Sequence, residues 1–395
     1  MRVQPSLYGY NNSLAELNTK SEIKEIQQYL QQAGYDLGNA GVDGVLGSKT
    51  KKAVYDFFKG KIGGSGANSV VPQPVPQPQS GTLTLAVMQN TRFKNSAEIN
   101  QFFQQYTGKD FVDFFRSKVG GKGYWKSRKG NAVTITAGSN ARFNALFDQI
   151  PTLYNMSEIN LFQFLGLVSC IINETRSFKP VRESYWVSLL GRLKYAYGTN
   201  GGRKRSYNKS SSAKTVQTLI HDRDFVSAHV TPQVRLQYLR GFDWSGTTFP
   251  NVSLNNAEID FLCQCDVYKF SGLGLIQTTW RPAYKKVIDY IINYSGSNPK
   301  ILNTKMNWKT FGNSLDKIAD LTKYQEWEYI FQEPHIAAKA VYLHSTRTGY
   351  LNFNVVGDSL SRMLDKAANI GYRIGGNSSY RTKVRNRVEQ IIKAI

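Results

Sequence analysis

The amino-acid sequence predicts a mainly α-helical chain in two unequal parts, a small helical module tethered to a larger α-rich module of α+β character. Three observations lead there. Apolar residues recur every three or four positions through long stretches, the period of a helix with one buried face. Strand-like alternation is short and sparse, its clearest case being NAVTITAG at 131–138. Residues 61–82 form a Gly/Ser stretch followed by alternating prolines (VPQPVPQPQSG), a composition that folds into nothing and spaces what it joins.

Residues 1–60 hold the small module. Ile23, Ile26 and Leu30 share one helical stripe, with Ser21 as the expected N-cap and Gly34 as the expected stop. NAGVDGVLGSKT is a Gly/Asp reversal, and Ser48 or Lys49 leads into a second helix with Ala53, Val54, Phe57 and Phe58 inside. The order of helix, GYDLG…VDGVLGSKT loop and aromatic-ended helix resembles the peptidoglycan-binding domain carried by many cell-wall hydrolases. The resemblance implies a wall-binding role, with Tyr35 and Asp43 as candidate residues and the Asp43-Gly44…Gly47…Thr50 spacing mostly architectural.

Residues 83–138 read as an extension packed with the larger module. INQFFQQYTGKDFVDFFRSKV spaces its aromatics as a helix does, and such a stripe is core before it is a binding surface. No function is assigned to it.

Residues 139–395 carry the chemistry. SEINLFQFLGLVSCIINET is one long apolar helix, with Ser157 as expected cap and Glu158 at its positive end. Glu174, at its far end, shares a face with Leu167, Cys170 and Ile171. Apolar neighbours disfavour a charged carboxyl, so Glu174 is expected to hold a proton near neutrality, as a general acid must. Nine residues on, past the helix-breaking Pro180, Glu183 sits among Arg182, Tyr185 and Trp186. Arg182 is expected to keep Glu183 ionised and the aromatics to stack on sugar faces. One protonated and one ionised carboxyl is the division of labour in glycoside hydrolysis. A second segment, CDVYKFSGLGLIQTTWRPAY (265–284), brings two glycines for close backbone approach and a polar Gln277-Thr278-Thr279 run.

NETRSF…E followed by GLGLIQTTWR is similar to the core of the family 19 glycoside hydrolases, specifically lysozyme-like phage endolysins. EPHIAAKAVYLHSTRTGYLNFNVVGD and NIGYRIGGNSSYRTKV are similar to two later landmarks of that family, in the same order. The resemblance implies a lysozyme-like catalytic domain over 139–395 that cleaves β-1,4 bonds of peptidoglycan with inversion. It implies Glu174 as general acid, Glu183 as general base, and Thr279 beside the attacking water. It implies Gln277, Ile276 and Arg281 as substrate contacts, with Tyr185 and Trp186 expected beside them, and it implies no metal or cofactor. Asn173 stands where the family has histidine, Arg176 and Ser177 where it has glycines, Leu273 for an arginine and Trp280 for a glycine. Other readings of the same residues are a chitinase, a lytic transglycosylase, and a non-catalytic or virion-borne wall-binding protein on this scaffold.

Charge bounds the partners. The net charge is +22, and residues 1–60 contribute almost nothing to it, with seven Lys/Arg against six Asp/Glu. Between Ser184 and His221 there are seven basic residues and no acidic one, a loop expected to act electrostatically. Peptidoglycan and anionic wall or membrane surfaces are the expected partners, and specific nucleic-acid binding rests on charge alone. A monomer is expected. Three cysteines are too few for a disulfide framework, and the four histidines show no zinc spacing. MRVQPSLYGYNN lacks an apolar signal core, so export is expected through a holin-type pore from the host cytoplasm to the periplasm, or carriage in a virion.

Overall fold

A computed structural model describes residues 20–32, 34–58, 82–183, 188–198, 207, 214–345 and 349–395. The chain divides into two compact units, Met1–Gln77 and Pro78–Ile395. It is mainly helical, and the four strands among the described residues are two residues each.

In the small unit, helices Lys20–Gln32 and Ser48–Phe58 enclose Ile26, Leu30, Leu37, Ala53 and Val54. Ser21 lies within the first helix and not at its cap. The helix ends where Gly34 takes φ 84°, and the Tyr35 N–H closes back on the Leu30 carbonyl at 2.9 Å. One buried side chain organises the reversal. Gln27 donates to Asp43 Oδ1 (2.8 Å), the Val45 carbonyl (3.1 Å) and Thr50 Oγ1 (3.0 Å), and accepts from the Gly44 N–H (2.7 Å). A fully satisfied amide stiffens a loop that has little apolar core beneath it.

The large unit is built on two adjoining hydrophobic cores. The first surrounds the central helix, Leu161–Thr175, which is buried over most of its circumference. That helix starts two residues later than the apolar run. Ile159–Asn160 (β2) pairs antiparallel with Arg92–Phe93 (β1), and Asn160 then forms a capping box with Gln163. Ser157 is therefore not the cap, because the backbone between it and the helix is committed to a strand. Gly166 lets helix Leu360–Gly375 come close: a Cβ there would lie 2.7 Å from Ile370 Cδ1 and 2.9 Å from the Ala367 carbonyl.

Residues 83–138 belong to this first core. Helix Ser96–Thr107 and helix Phe111–Phe114 set Phe103 (6.1 Å) and Phe111 (5.0 Å) against Phe164 of the central helix, and Phe115 of the π-helical turn Phe115–Val119 packs on Trp125 at 4.6 Å. The expected strand at 131–138 is an extended segment, bridged at Lys126–Ala132 and not paired along its length. Val133 and Ile135 still point inward, so the alternation records burial without a sheet.

The second core gathers residues between Leu193 and Ala340, among them Trp244, Tyr268, Tyr284, Trp308 and Trp327. Two stretches of chain, residues 273–276 and one helix, contribute to both cores. Val181–Arg182 (β3) pairs antiparallel with Leu273–Gly274 (β4); Leu273 enters the second core, while Leu275 and Ile276 enter the first. Helix Pro334–Ser345 likewise turns Ala337, Ala338 and Val341 to one core and Ile336 and Ala340 to the other. The junction of the lobes is thus a short ribbon backed by a helix. Cys170, Cys263 and Cys265 are buried free thiols. Among the described residues no helix is long and apolar enough to cross a membrane.

Candidate functional site

Glu174 occupies the last turn of the central helix, partly buried. The helix stops at Arg176, whose φ of 57° is left-handed, and the Arg176 carbonyl accepts from the Thr136 N–H at 2.7 Å. Glu174 Oε1 accepts from the Tyr380 hydroxyl (2.7 Å) and from Asn173 Nδ2 (2.9 Å). Asn173 Oδ1 in turn accepts from Arg387 Nη1 at 2.7 Å. Burial pushes the Tyr380 phenol up, and the neighbouring Cys170 and Glu174 add to it, so it stays a donor.

From Arg176 the chain turns through Phe178, again left-handed at 53°, whose ring is buried against Phe143 and Phe147. It then enters β3 and delivers Glu183. The Glu183 N–H donates to the Gly272 carbonyl (2.8 Å), and the Gly272 N–H returns to Glu183 Oε1 (3.1 Å). The Tyr207 hydroxyl donates to the same oxygen at 3.0 Å. Glu183 Oε2 has no hydrogen bond among the described residues. Gly272 leaves room for this: a Cβ there would meet Gln277 Oε1 at 2.5 Å and Glu183 Oε2 at 3.2 Å.

Gln277 is left-handed (φ 58°), its Nε2 reaches the Val181 carbonyl at 3.4 Å, and its Oε1 is buried without a protein partner among the described residues. Thr279 Oγ1 donates to the Gln277 carbonyl at 2.6 Å, and Leu273 N–H to the Thr278 carbonyl at 3.0 Å. Trp280 (φ 80°) packs edge-on to Tyr207, ring centroids 5.1 Å apart, and the Arg281 N–H donates to the Tyr207 carbonyl at 2.8 Å. Thr278, Thr279 and Trp280 also line a cavity of about 210 Å³ with Lys286 and His344. Of the described non-glycine residues with positive φ, Arg176, Phe178, Tyr207, Gln277 and Trp280 all lie on these two segments or touch them, Asn155 being the exception. Strained backbone persists where its surroundings overdetermine it, and it concentrates at functional sites.

Several expected contacts fall elsewhere. Arg182 does not face Glu183. Strand alternation turns it into the second lobe, where it pairs with Glu328 (2.7 Å) and donates to the Tyr268 and Lys269 carbonyls, leaving Tyr207 and Gly272 as the donors to Glu183. Ile276 is core, at 4% exposure. Arg281 is 1% exposed and holds Asp266 (2.8 Å), Asp316 (3.4 Å) and Asp320, which fastens the Gln277–Trp280 loop from behind. Neither reaches the surface as a substrate contact must. Tyr185, Trp186 and most of the basic loop lie outside the described residues.

In the small unit, Asp43 Oδ1 is taken up by Gln27 and by the Val45 N–H (2.8 Å), which gives it an architectural role first. Tyr35 packs against the small core, and burial raises its phenol. A concavity of about 480 Å³ runs over the reversal, lined by Asp36, Asn39, Asp43 and Lys49. Among the described residues no group of three or more His, Cys, Asp or Glu side chains could hold a metal ion.

Sequence reasoning missed Tyr207, Tyr380 and Arg387. Tyr207 stands inside a Ser/Lys/Arg stretch that reads as solvated loop, and Tyr380 follows a Gly-Gly-Asn turn 206 residues from its partner. No local pattern marks either one.

Residues 19–57 match the peptidoglycan binding domain family. A type VI secretion system spike protein, VgrG3 of Vibrio cholerae serotype O1, is 50% identical over 42 residues, 11% of this chain and 4% of that protein. The chain therefore spans a small fraction of the curated relative it matches. No solved structure matches the chain.

Proposed function

We propose that this chain is a peptidoglycan glycosidase of the endolysin, muramidase type. The small module holds it to the wall, and Glu174 and Glu183 hydrolyse β-1,4 glycosidic bonds with inversion. The observation that carries this reading is the paired treatment of the two carboxylates. Each has one oxygen occupied by a tyrosine hydroxyl and a second donor, while the other oxygen takes no protein hydrogen bond among the described residues. Glu174 Oε2 is then the oxygen that carries a transferable proton, and Glu183 Oε2 the one that receives a proton from water. In the reaction, water attacks the anomeric carbon and passes a proton to Glu183. The carbon–oxygen bond to the leaving sugar breaks as that oxygen takes the proton from Glu174. Inversion needs a carboxyl separation of roughly 6.5–9.5 Å, room for the water. Gln277 is the substrate-side contact in this scheme, its Oε1 converging with Glu183 Oε2 over Gly272, and Thr279, whose hydroxyl donates to the Gln277 carbonyl, is the water-side contact.

The match of residues 19–57 supports wall binding by the small module, whose tether raises the local concentration of whatever it carries. The basic large module adds attraction to anionic wall and membrane surfaces. A second reading, a wall-binding protein without catalysis, is favoured by the restriction of the family match to the small module.

Purified wild type, Glu174→Gln and Glu183→Gln incubated with isolated sacculi, followed by mass spectrometry of released fragments, separate these. We expect reducing-end muropeptides from wild type and a loss of about 10²–10⁴-fold in each variant. Equal release by wild type and Glu174→Gln sinks the assignment of the acid. Fragments ending in 1,6-anhydro sugars identify a lytic transglycosylase, and binding with no release identifies the non-catalytic reading.

A further inference from the structure

We infer that Tyr380 and Arg387 are positioning residues for Glu174: Tyr380 directly, and Arg387 through Asn173, fix which carboxyl oxygen is free and stabilise the carboxylate left after proton transfer. This deepens the reading above and rests on it.

The arrangement is built for one phenol. Helix Leu360–Gly375 ends at Gly376, left-handed at φ 70°, and helix Ser378–Ala394 folds back along it. Where the two cross, side chains are deleted. A Cβ on Gly375 would lie 2.3 Å from Tyr380 Cγ, and one on Gly371 would lie 2.5 Å from Val384 Cγ2. The Tyr380 ring therefore lies against bare backbone, which aims its hydroxyl at Glu174 Oε1, 2.7 Å away.

Two turns further along the same helix, Arg387 is 1% exposed and has no carboxylate partner among the described residues. Its guanidinium lies 4.5 Å over the Trp125 ring, Nε donates to the Tyr124 carbonyl (3.1 Å), and Nη1 donates to Asn173 Oδ1. Nη2 has no partner among the described residues. A buried cation without a matched anion is costly, and burial lowers its proton affinity. The negative charge nearest in its hydrogen-bond chain is Glu174, reached through the Asn173 amide. That amide is oriented and polarised, Oδ1 to Arg387 and Nδ2 to Glu174.

Cys170, one turn earlier on the central helix, is buried and its thiol is pushed up, so it stays neutral. Helix Leu360–Gly375 faces the central helix with Ala367 and Ile370. Both donors to Oε1 favour the ionised carboxyl, which is the product of the proton donation. They also leave Oε2 as the site of the proton. Removing either should slow the chemical step and leave substrate binding intact.

The test uses the full chain with Tyr380→Phe, Arg387→Met, Arg387→Lys and Glu174→Gln. Two readouts are taken: kcat and KM on solubilised glycan across pH, and carboxyl-carbon NMR titration with labelled glutamate, the Glu174 signal being the one missing from Glu174→Gln. In Tyr380→Phe we expect kcat to fall about tenfold at unchanged KM. We also expect the alkaline limb of the profile and the Glu174 titration midpoint to rise together, by about one pH unit. Arg387→Met should move both the same way and Arg387→Lys should restore part of the loss. A Glu174 midpoint that stays put in Tyr380→Phe and Arg387→Met overturns the inference, whether or not the wild type cleaves glycan. A midpoint that moves while Glu174→Gln keeps full activity leaves the network standing and sinks the hydrolase reading instead. Should Arg387→Met fail to fold, Tyr380→Phe, which deletes one oxygen, decides alone.

Discussion

At Gly272 a single added carbon would overlap Gln277 Oε1 and crowd Glu183 Oε2, at 2.5 and 3.2 Å, although the backbone there suits any residue. Gly272→Ala is thus a probe of side-chain placement, separable from backbone strain. We expect turnover to fall by about a hundredfold, the scale of an ångström-sized displacement at a reacting group, with little loss of melting temperature. Wild-type turnover in that variant would show that Glu183 and Gln277 need not converge. His229 offers a test of a different kind. It is buried, its Nε2 meets the Asp320 carbonyl at 2.7 Å, and burial together with the nearby Lys269 lowers its pKa to about 3. The unfolded chain binds this proton below about pH 6.5, while the folded chain refuses it until about pH 3. Stability should fall as pH drops through that window, by up to about 1.4 kcal/mol per pH unit from this group. Melting curves at pH 7 and pH 4.5 should show a smaller loss for His229→Gln than for wild type; equal losses would show that the ring is protonated in the fold.

The central helix shows how local chemistry outranks hydropathy. Its apolar run begins at Ile159, yet Asn160 caps it, because Asn160 Oδ1 accepts from the Gln163 N–H at 2.9 Å and Gln163 Oε1 accepts from the Asn160 N–H at 2.7 Å. Asn160 Nδ2 also ties the cap to the Phe353 carbonyl at 2.8 Å. Asn160→Ala should cost about 1–2 kcal/mol in denaturant unfolding, and Ser157→Ala close to nothing. The reverse ranking would restore Ser157 as the cap. At the other end the sequence was legible: the glutamate at the helix terminus and the break before Pro180 both appear where the pattern places them. The strand pattern of 131–138 was legible for burial and misleading for pairing. Its Thr136 N–H is satisfied by the Arg176 carbonyl of the other candidate segment, a partner 40 residues away.

For the molecule as a whole, the two units and the composition between them predict separable functions. Removing residues 1–77 should sharply reduce co-sedimentation with sacculi while leaving kcat on soluble glycan unchanged, and should lower cleavage of intact sacculi by about tenfold or more. Undiminished sedimentation would assign wall affinity to the basic module. The amino-acid sequence by itself determined the helical character, the two-part organisation and the small module's architecture, and it singled out Glu174, Glu183 and the Gly/Gln/Thr segment as candidates. Those are set by periodicity, composition and short-range spacing, which act within a few turns of chain. Only the tertiary structure decided which side chains serve those glutamates. Arg182, Ile276 and Arg281 turn inward because strand alternation and core packing claim them, while Tyr207, Tyr380 and Arg387 arrive from distant elements. A hydrogen bond across 206 residues depends on how two helices close over bare glycine backbone, and no local pattern encodes that closure.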